Sequence, residues 1–155
     1  MARRPREYLD ELDKKILNML QKDGRLSFTD IAKKLKIPQS TARFKVLNLI
    51  SRGYIKKFVA IPDYEKIGYP YALVMLLDVD LNKISDIMSE LENMEEIHHV
   101  LQTTGRHDLV AIFMAASLQH INEIVKKVKT MPGIKGAEVL VVTGRLIISP
   151  SVPVK

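Results

Sequence analysis

Apolar residues in the first part of the chain recur at the spacing of α-helices. A second helix is predicted after Ser27, with Asp30 in the position of the capping-box acid. A third is predicted over about residues 38–52, because proline is tolerated in a first helical turn. The first helix, expected to end near Gly24, is predicted by four apolar residues spaced three or four apart: Leu9, Leu12, Ile16 and Leu20.

Only a few residues, "KIP", separate the second and third predicted helices. A segment with β-branched and aromatic residues, "YIKKFVAI", then predicts a short strand. Three helices with a tight turn, followed by a strand, are typical of a helix-turn-helix domain with a wing. A small helical bundle without DNA-binding activity is the alternative that this pattern leaves open.

Prolines, a glycine and tyrosines interrupt the periodicity at residues 62–71 and predict a linker or hinge. Beyond it, apolar runs of strand length and two amphipathic segments follow in the order β-α-β-β-α-β. The predicted fold class is therefore α+β. A winged helix-turn-helix domain of three helices, residues 1–61, precedes a ferredoxin-like βαββαβ domain, residues 72–155.

A short sequence repeat, which we call the echo, indicates two related halves within the second domain. The sequence Thr104-Gly105-Arg106 recurs 39 residues later as Thr143-Gly144-Arg145. A duplicated β-α-β unit would produce such an echo, because each half repeats the same crossover.

The composition is that of a globular protein, with 46% apolar and 27% charged residues and no cysteine. Disulfides, thiolate nucleophiles and cysteine-based metal sites are therefore excluded. The longest apolar stretch, "YALVMLLDV", is much shorter than the roughly 20 residues of a membrane span. The basic N-terminus lacks the apolar core of a secretory signal, so we expect a cytoplasmic protein without a membrane partner.

The net charge of +6 is unevenly distributed. Residues 1–62 hold 15 Lys and Arg against 6 Asp and Glu, whereas residues 63–155 hold 9 against 12. A basic half favours a polyanion such as double-stranded DNA, although a solvated lysine-rich surface would have the same composition.

The third predicted helix has one apolar face, and Ala42, Val46 and Leu49 are expected to pack on the first two helices. Glutamine can pair with adenine and arginine with guanine, whereas phenylalanine either contacts a thymine methyl group or packs against a neighbouring strand. Side chains near the start of such a helix can reach base edges in the major groove. The outer face carries Gln39, Ser40, Arg43, Phe44 and Leu47, with Thr41 on its flank.

Other basic residues are predicted to contact phosphates, which give affinity without sequence information. Solvent exposure without any DNA contact is the alternative for each of them. They are Lys45, Arg52, Lys56 and Lys57, together with a basic arm of Arg3, Arg4 and Arg6.

Catalytic motifs are absent: the chain has no nucleophile elbow, phosphate-binding glycine loop or HExxH sequence. His98 and His99 are neighbours in a predicted strand, where adjacent side chains point to opposite faces, so they are not expected to share a metal. We therefore predict no enzyme activity, no metal and no cofactor.

The chain resembles one known family, the leucine-responsive regulatory protein/AsnC (Lrp/AsnC, feast/famine) transcriptional regulators. "LDELDKKILNMLQKDGRLSFTDIAKKL", residues 43–46 and "GYIKKF" are similar to that family's DNA-binding domain. "TGRHDL" resembles the loop between the middle strands of its second domain. The resemblance extends over roughly residues 9–148, and Lys36, Pro38 and Lys45 depart from the family's usual Gly, Ser and Arg.

This resemblance implies that the second domain forms homodimers, which can assemble into tetramers or octamers, and binds a small effector, commonly an amino acid. Gly105 would allow close backbone approach, Asp108 could hold an ammonium group and Arg106 a carboxylate. The alternative is a tight strand connection that Asp108 merely caps. The candidate effector residues are Thr104, Gly105, Arg106, His107, Asp108, Thr143 and Gly144.

We therefore expect a sequence-specific, DNA-binding transcriptional regulator whose assembly and DNA binding respond to a small effector, on the resemblance an amino acid. Two alternatives stay open at this point. One is an architectural DNA-packing protein without an effector, and the other is an amino-acid-sensing subunit of an enzyme. Base reading is favoured over packing by the clustering in one outer patch of Gln39, Ser40, Thr41 and Arg43.

Overall fold

The computed structural model describes residues 8–144 and 151–154 of the chain. These residues form two compact units, the first containing residues 8–61 and 151–154 and the second residues 62–144. No helix in the described ranges is long and apolar enough to cross a membrane. The described residues do not include Arg145 of the echo or the basic arm of Arg3, Arg4 and Arg6.

Three helices form the first unit, as the apolar spacing predicts. They are α1 at Glu11–Lys22, α2 at Phe28–Leu35 and α3 at Gln39–Ser51. The predicted capping box of α2 is confirmed, because Ser27 and Asp30 exchange side-chain and backbone hydrogen bonds. One core joins the three helices and consists of Ile16, Leu17, Leu20, Ile31, Ala32, Ala42, Val46 and Leu49.

The turn between α2 and α3 contains a backbone conformation that side chains rarely adopt. Lys36, the C-terminal cap of α2, has a φ of 53° and lies in the left-handed region. Glycine, the usual residue of the resembled family here, adopts this conformation without a Cβ penalty. Pro38 precedes α3 as its N-cap and provides no side-chain hydrogen bond, so α3 begins without the cap that a serine would supply.

The prediction of a strand after α3 is wrong. Residues 54–63 have neither helical nor strand pairing, because the described part of the first unit offers no second strand to complete a ladder. The ring of Phe58 lies beside Gly24, where an added Cβ would be 3.3 Å from a ring carbon. Gly24 therefore follows α1 as expected, but it leaves room for this ring and does not adopt a left-handed conformation.

A short C-terminal segment packs within the first unit, although it was expected in the second domain. Residues 151–154 lie beside α1, where Asn18 and Gln21 form hydrogen bonds with the backbone of the segment. The Val154 side chain packs against the core of the three helices. The first unit is therefore built from two separate stretches of the chain.

The second unit is a four-stranded antiparallel sheet with two helices, in the predicted order β-α-β-β-α-β. The strands lie side by side in the order β2-β3-β1-β4, which is the ferredoxin-like arrangement. The final strand begins earlier than predicted, and its predicted continuation over residues 145–149 lies outside the described residues. The elements are β1 Tyr71–Val79, α4 Ile84–Glu92, β2 Ile97–Gln102, β3 Leu109–Ala115, α5 Leu118–Lys129 and β4 Ile134–Val141.

Both helices of this unit cover the same face of the sheet, and alternate residues of the central strands are fully buried beneath them, among them Leu73, Leu109 and Phe113. On the opposite face, the exposed side chains of Leu101 and Leu140 lie in register with central apolar residues. Those central residues are only partly buried: Val74, Leu76, Val110 and Ile112. The sheet therefore has one closed face and one open apolar face.

The predicted linker contains a folded turn. The Tyr69 backbone N–H donates to the Tyr64 carbonyl at 2.8 Å, and Gly68 has a φ of 93°. The Tyr64 hydroxyl lies 2.8 Å from Nε2 of His98, so this segment is attached to β2.

The prediction that His98 and His99 point to opposite faces is wrong. The register between β2 and β3 shifts between Ile97 and His99, so the regular alternation of side chains is interrupted there. The two imidazole rings lie with their centroids 4.4 Å apart and their Nδ1 atoms in contact. Burial, and then the neighbouring His99, lower the pKa of His98.

A buried carboxylate connects α1 to α3. The side chain of Asp13 is almost completely buried, and its two oxygens lie 3.1 Å from Lys45 Nζ and 3.8 Å from Arg52 Nη1. Lys45 also contacts the carboxylate of Asp10, which accepts a hydrogen bond from the Asp13 backbone N–H at 2.7 Å. We call these four residues, two acids on the α1 side and two cations on the α3 side, the Asp13 cluster.

The Asp13 cluster changes the titration of its exposed acid. The hydrogen bond from Lys45, and then the one from the Asp13 backbone, lower the pKa of Asp10, while the hydrogen bond to Asp10 raises the pKa of Lys45. The folded-state pKa of Asp10 thus lies below its unfolded value. Its contribution to stability is present above the unfolded pKa and is lost as the pH falls through the folded pKa.

We predict that Asp13→Asn lowers the free energy of unfolding by roughly 1–3 kcal/mol, because it leaves two partly buried cations facing a neutral group. Urea unfolding followed by circular dichroism measures this change. Asp23→Asn is the matched control, because Asp23 pairs with Arg25 at the exposed surface, where such an ion pair stabilises little. Equal losses for the two variants would contradict a special role for the buried carboxylate.

Candidate DNA-binding surface and ligand loop

The third helix has one face in the core and the other in solvent. Ala42 and Leu49 are fully buried, and Val46 is nearly so. Side chains three and four residues apart are neighbours on a helix surface, so the outward-pointing residues gather in one place. They line a surface hollow, which we call the α3 hollow: Gln39, Ser40, Arg43, Phe44 and Leu47. Thr41 lies half-buried on its flank.

The α3 hollow combines three kinds of chemical group. Gln39 and Ser40 offer hydrogen-bond donors and acceptors, and Arg43 offers a planar guanidinium. Phe44 and Leu47 add apolar surface, 65% and 46% exposed. Phe44 is therefore largely uncovered by the described residues of the first unit.

Two of the predicted phosphate contacts are directed into the protein. Lys45 is paired within the Asp13 cluster, and its side chain is only 20% exposed. The Arg52 guanidinium is equally buried, donates to Asn48 Oδ1 at 3.3 Å and lies over the ring of Tyr54. Both cations therefore hold α3 against α1. Their charges already face carboxylates and are not directed towards a phosphate.

Lys56 and Lys57 are exposed beyond the end of α3, where phosphate contacts were predicted. The acids of the Asp13 cluster, by contrast, were missed from the sequence. Their signal is the capping-box spacing of Asp10 and Asp13 at the start of α1. An acid among helix positions that pack inward indicates a cation nearby, because a buried carboxylate needs a partner.

The loop between β2 and β3 carries the predicted effector residues. Thr104, Gly105 and Arg106 are exposed, and Gly105 has a φ of 127°, where glycine is favoured. The Asp108 carboxylate accepts a hydrogen bond from the Val79 backbone N–H at 2.8 Å. The Asp108 side chain thus ties the loop to the end of β1.

His107 lies between two carboxylates, with Nδ1 2.9 Å from Asp78 Oδ1 and Nε2 3.5 Å from Glu138 Oε2. Its carbonyl accepts a hydrogen bond from the Thr103 hydroxyl at 2.7 Å. The side chain is 15% exposed. His107 therefore ties the loop to β1 and β4, while its neighbours Thr104–Arg106 face solvent.

The echo of the loop lies at the other end of the sheet. Leu77 pairs with Leu109 at the loop end, whereas Leu73 pairs with Val141, close to Thr143–Gly144. Leu73 and Leu77 are four positions apart in β1, which is about 13 Å at the rise of a strand. One chain therefore does not bring the two groups of predicted effector residues together.

Both units match known domains. Residues 9–56 match a family described as winged helix-turn-helix DNA-binding, and residues 72–152 match the Lrp/AsnC ligand binding domain. An uncharacterised HTH-type transcriptional regulator of Pyrococcus furiosus is 37% identical over 136 residues, which cover 87% of this chain and 92% of that protein. The HTH-type transcriptional regulator FL11 of Pyrococcus horikoshii is 34% identical over 134 residues, covering 86% and 89%.

Solved structures share the fold. E. coli AsnC has a TM-score of 0.81 at 21% identity, covering 91% of this chain and 96% of that one. A transcriptional regulator of Neisseria meningitidis, in complex with L-Met, has a TM-score of 0.88 at 18% identity, covering 94% and 97%. The curated relatives are transcriptional regulators and not enzymes. With its two domains matched in order, the chain belongs to the Lrp/AsnC family of transcriptional regulators.

Proposed function

We propose that this regulator reads DNA sequence through the outer face of α3, and that a small amino acid modulates its assembly and DNA binding. The observation that carries the proposal is the α3 hollow, an exposed set of varied side chains opposite a buried face. A helix held by its inner face can enter a major groove without rearrangement.

Each group of the α3 hollow has a matching partner on base edges. Arg43 donates two hydrogen bonds to guanine, and Gln39 pairs with adenine through its carboxamide. Ser40 and Thr41 are short enough to contact bases or the adjoining sugar-phosphate backbone. Phe44 and Leu47 face thymine, whose methyl group is the apolar feature of the major groove.

Lys56 and Lys57 contact phosphates beyond the end of α3. Each such contact releases counterions, so binding weakens as the salt concentration rises. Lys45 and Arg52 act indirectly in this proposal, because the Asp13 cluster already pairs them and they fix the position of α3. Their loss would therefore disturb affinity for every DNA sequence.

The open face of the sheet supports a homodimer. Its partly buried residues, such as Val74 and Ile112, form an apolar surface that the helices of their own unit leave uncovered. Exposed apolar patches of this kind mark interfaces, and two sheets pack well face to face. A dimer then places two α3 helices about 34 Å apart on successive major-groove faces. Contacts between dimers give tetramers or octamers.

The effector in this proposal is an amino acid bound at the loop of residues 104–108. The L-Met complex of the Neisseria regulator supports this ligand class. Arg106 pairs with the ligand carboxylate and Asp108 with its ammonium group, while Gly105 admits close backbone approach. Thr143–Gly144 joins the site only from a second subunit. Tighter binding to one assembly state then shifts the oligomer equilibrium.

Footprinting on the DNA upstream of the protein's own gene, with and without each common amino acid, tests this function. We expect a discrete protected site whose extent changes with one amino acid. Uniform, strongly salt-dependent coverage that no amino acid changes would favour an architectural DNA-packing protein. A failure to bind DNA even at low salt would favour an amino-acid-sensing subunit of an enzyme.

We predict that Arg43→Ala weakens binding to the protected site by roughly 1–3 kcal/mol and relaxes discrimination at one base position, because a bidentate base contact is lost. Fluorescence anisotropy on a panel of single-base variants measures both effects. Lys56→Ala is the control, since losing a phosphate contact weakens all sequences alike. Equal losses of Arg43→Ala on specific and random DNA would make Arg43 a phosphate contact.

We predict that uracil in place of a contacted thymine weakens wild-type binding about fourfold, since burying one methyl group stabilises by about 0.8 kcal/mol. Phe44→Ala should bind the thymine and uracil duplexes equally, because its apolar surface is gone. Anisotropy titrations of both proteins on both duplexes form a double-mutant cycle. A uracil penalty that persists in Phe44→Ala would remove Phe44 from thymine reading.

We predict that Asp108→Ala and Arg106→Ala each abolish the amino-acid response of the footprint and leave the dimer intact. Arg106→Ala is the cleaner of the two variants, because Arg106 is exposed whereas Asp108 also caps Val79. Sedimentation checks the dimer, and footprinting checks the response. An unchanged response in both variants would exclude this loop from the effector site.

A further inference from the structure

Two carboxamides on α1 hold the C-terminal segment. Asn18 Oδ1 accepts a hydrogen bond from the Val154 N–H at 3.0 Å, and Asn18 Nδ2 donates to the Val154 carbonyl at 3.2 Å. Gln21 pairs in the same way with Val152, at 2.8 Å and 3.0 Å. Each side chain thus satisfies both backbone groups of one residue, as a neighbouring strand would.

The residue between the two contacts suits this arrangement. Alternate residues of an extended chain face the same side, so the N–H groups of Val152 and Val154 point at α1. An N–H at position 153 would point away, and Pro153 has none to leave unpaired. Proline also restricts the free segment to extended conformations, so docking costs less conformational entropy.

The two valine side chains have different environments. Val154 packs against the apolar core of the first unit, whereas Val152 is 68% exposed. Recognition therefore combines hydrogen bonds to backbone groups, which are independent of sequence, with one apolar anchor. Backbone pairing with a pocket for an alternate side chain is a known mode of peptide recognition.

We propose that this face of α1, which we call the α1 clamp, is a binding site for an extended peptide of the type apolar–Pro–apolar. Its occupant is the C-terminal segment of the same chain, and an occupied clamp restrains the DNA-binding unit. The chain leaves that unit after residue 61 and returns to it with residues 151–154. Docking of the segment therefore attaches the unit at a second point and limits its freedom of orientation.

A pair of full-length variants tests whether the segment occupies the clamp through Val154. Val154→Asp places a charge against the apolar core and releases the segment, whereas Val152→Asp, the matched control, changes a solvent-facing side chain. We measure amide hydrogen exchange by NMR, at residue 152 in the first variant and at residue 154 in the second. We expect exchange at least tenfold faster in Val154→Asp and within twofold of wild type in Val152→Asp. Unchanged exchange in Val154→Asp would overturn the proposal.

Rescue by a separate peptide tests the site itself. In Val154→Asp the clamp is vacant but its own residues are intact, so added peptide SVPVK should shift the side-chain amide resonances of Asn18 and Gln21 towards their wild-type positions. The same peptide with Asp in place of its second valine should not. An absence of response to SVPVK would overturn a peptide site. Release of the segment on dilution of the wild-type protein would place the occupant on a second copy, against the proposal.

The restraint of the DNA-binding unit rests on the proposed DNA binding. It is tested by the affinity for two duplexes, the complete footprinted site and one half-site taken from it. We expect Val154→Asp to weaken binding to the complete site at least threefold and to the half-site less than twofold. Equal effects on both duplexes would overturn the restraint. If the wild-type protein binds no specific DNA, the proposed function fails, whereas the exchange and peptide experiments still decide the clamp.

Discussion

Asp13 lies where α1 meets α3, and an ionised carboxylate removed from water is costly unless cations face it. Lys45 in α3 and Arg52 at its C-terminal end meet this requirement, so both of these cations point inward. The consequence reaches the opposite side of the helix. Arg43 remains in the α3 hollow among amide, hydroxyl and apolar groups, and this outer surface is chemically mixed and not uniformly positive. A mixed surface can distinguish bases, whereas a uniformly positive one recognises only phosphates.

The architecture was largely predictable from the sequence, because burial imposes periodicity on every helix and strand that packs on a core. Three details depended on partners that a local pattern does not show. The segment after α3 has strand-like residues but no neighbouring strand. The rings of His98 and His99 lie next to each other where the register with β3 shifts. The segment of residues 151–154 docks on side chains 131 to 136 positions away.

The candidate sites were predictable to different degrees. The outward residues of α3 follow from the inward packing of Ala42, Val46 and Leu49, so geometry alone identifies them. The charge of a lysine does not show which group its side chain contacts, and Lys45 pairs with acids at the start of α1 instead of facing solvent. The echo at Thr143–Gly144 marks a duplicated sequence, but the antiparallel register places it at the sheet end opposite the loop. Sequence repetition thus indicates common architecture and not spatial proximity.

The discontinuous first unit has a consequence for the order in which the protein is completed. Its three helices are synthesised first, but the segment that docks on Asn18 lies 136 positions further along the chain. The second unit, residues 62–144, is therefore synthesised before the first can reach its final form. Domains generally fold as units during synthesis, so the three helices have to persist without this contact until residues 151–154 have been synthesised. A bulky group attached at residue 152 or 154 would therefore lie beside the DNA-binding unit, although both positions follow the second unit in the sequence.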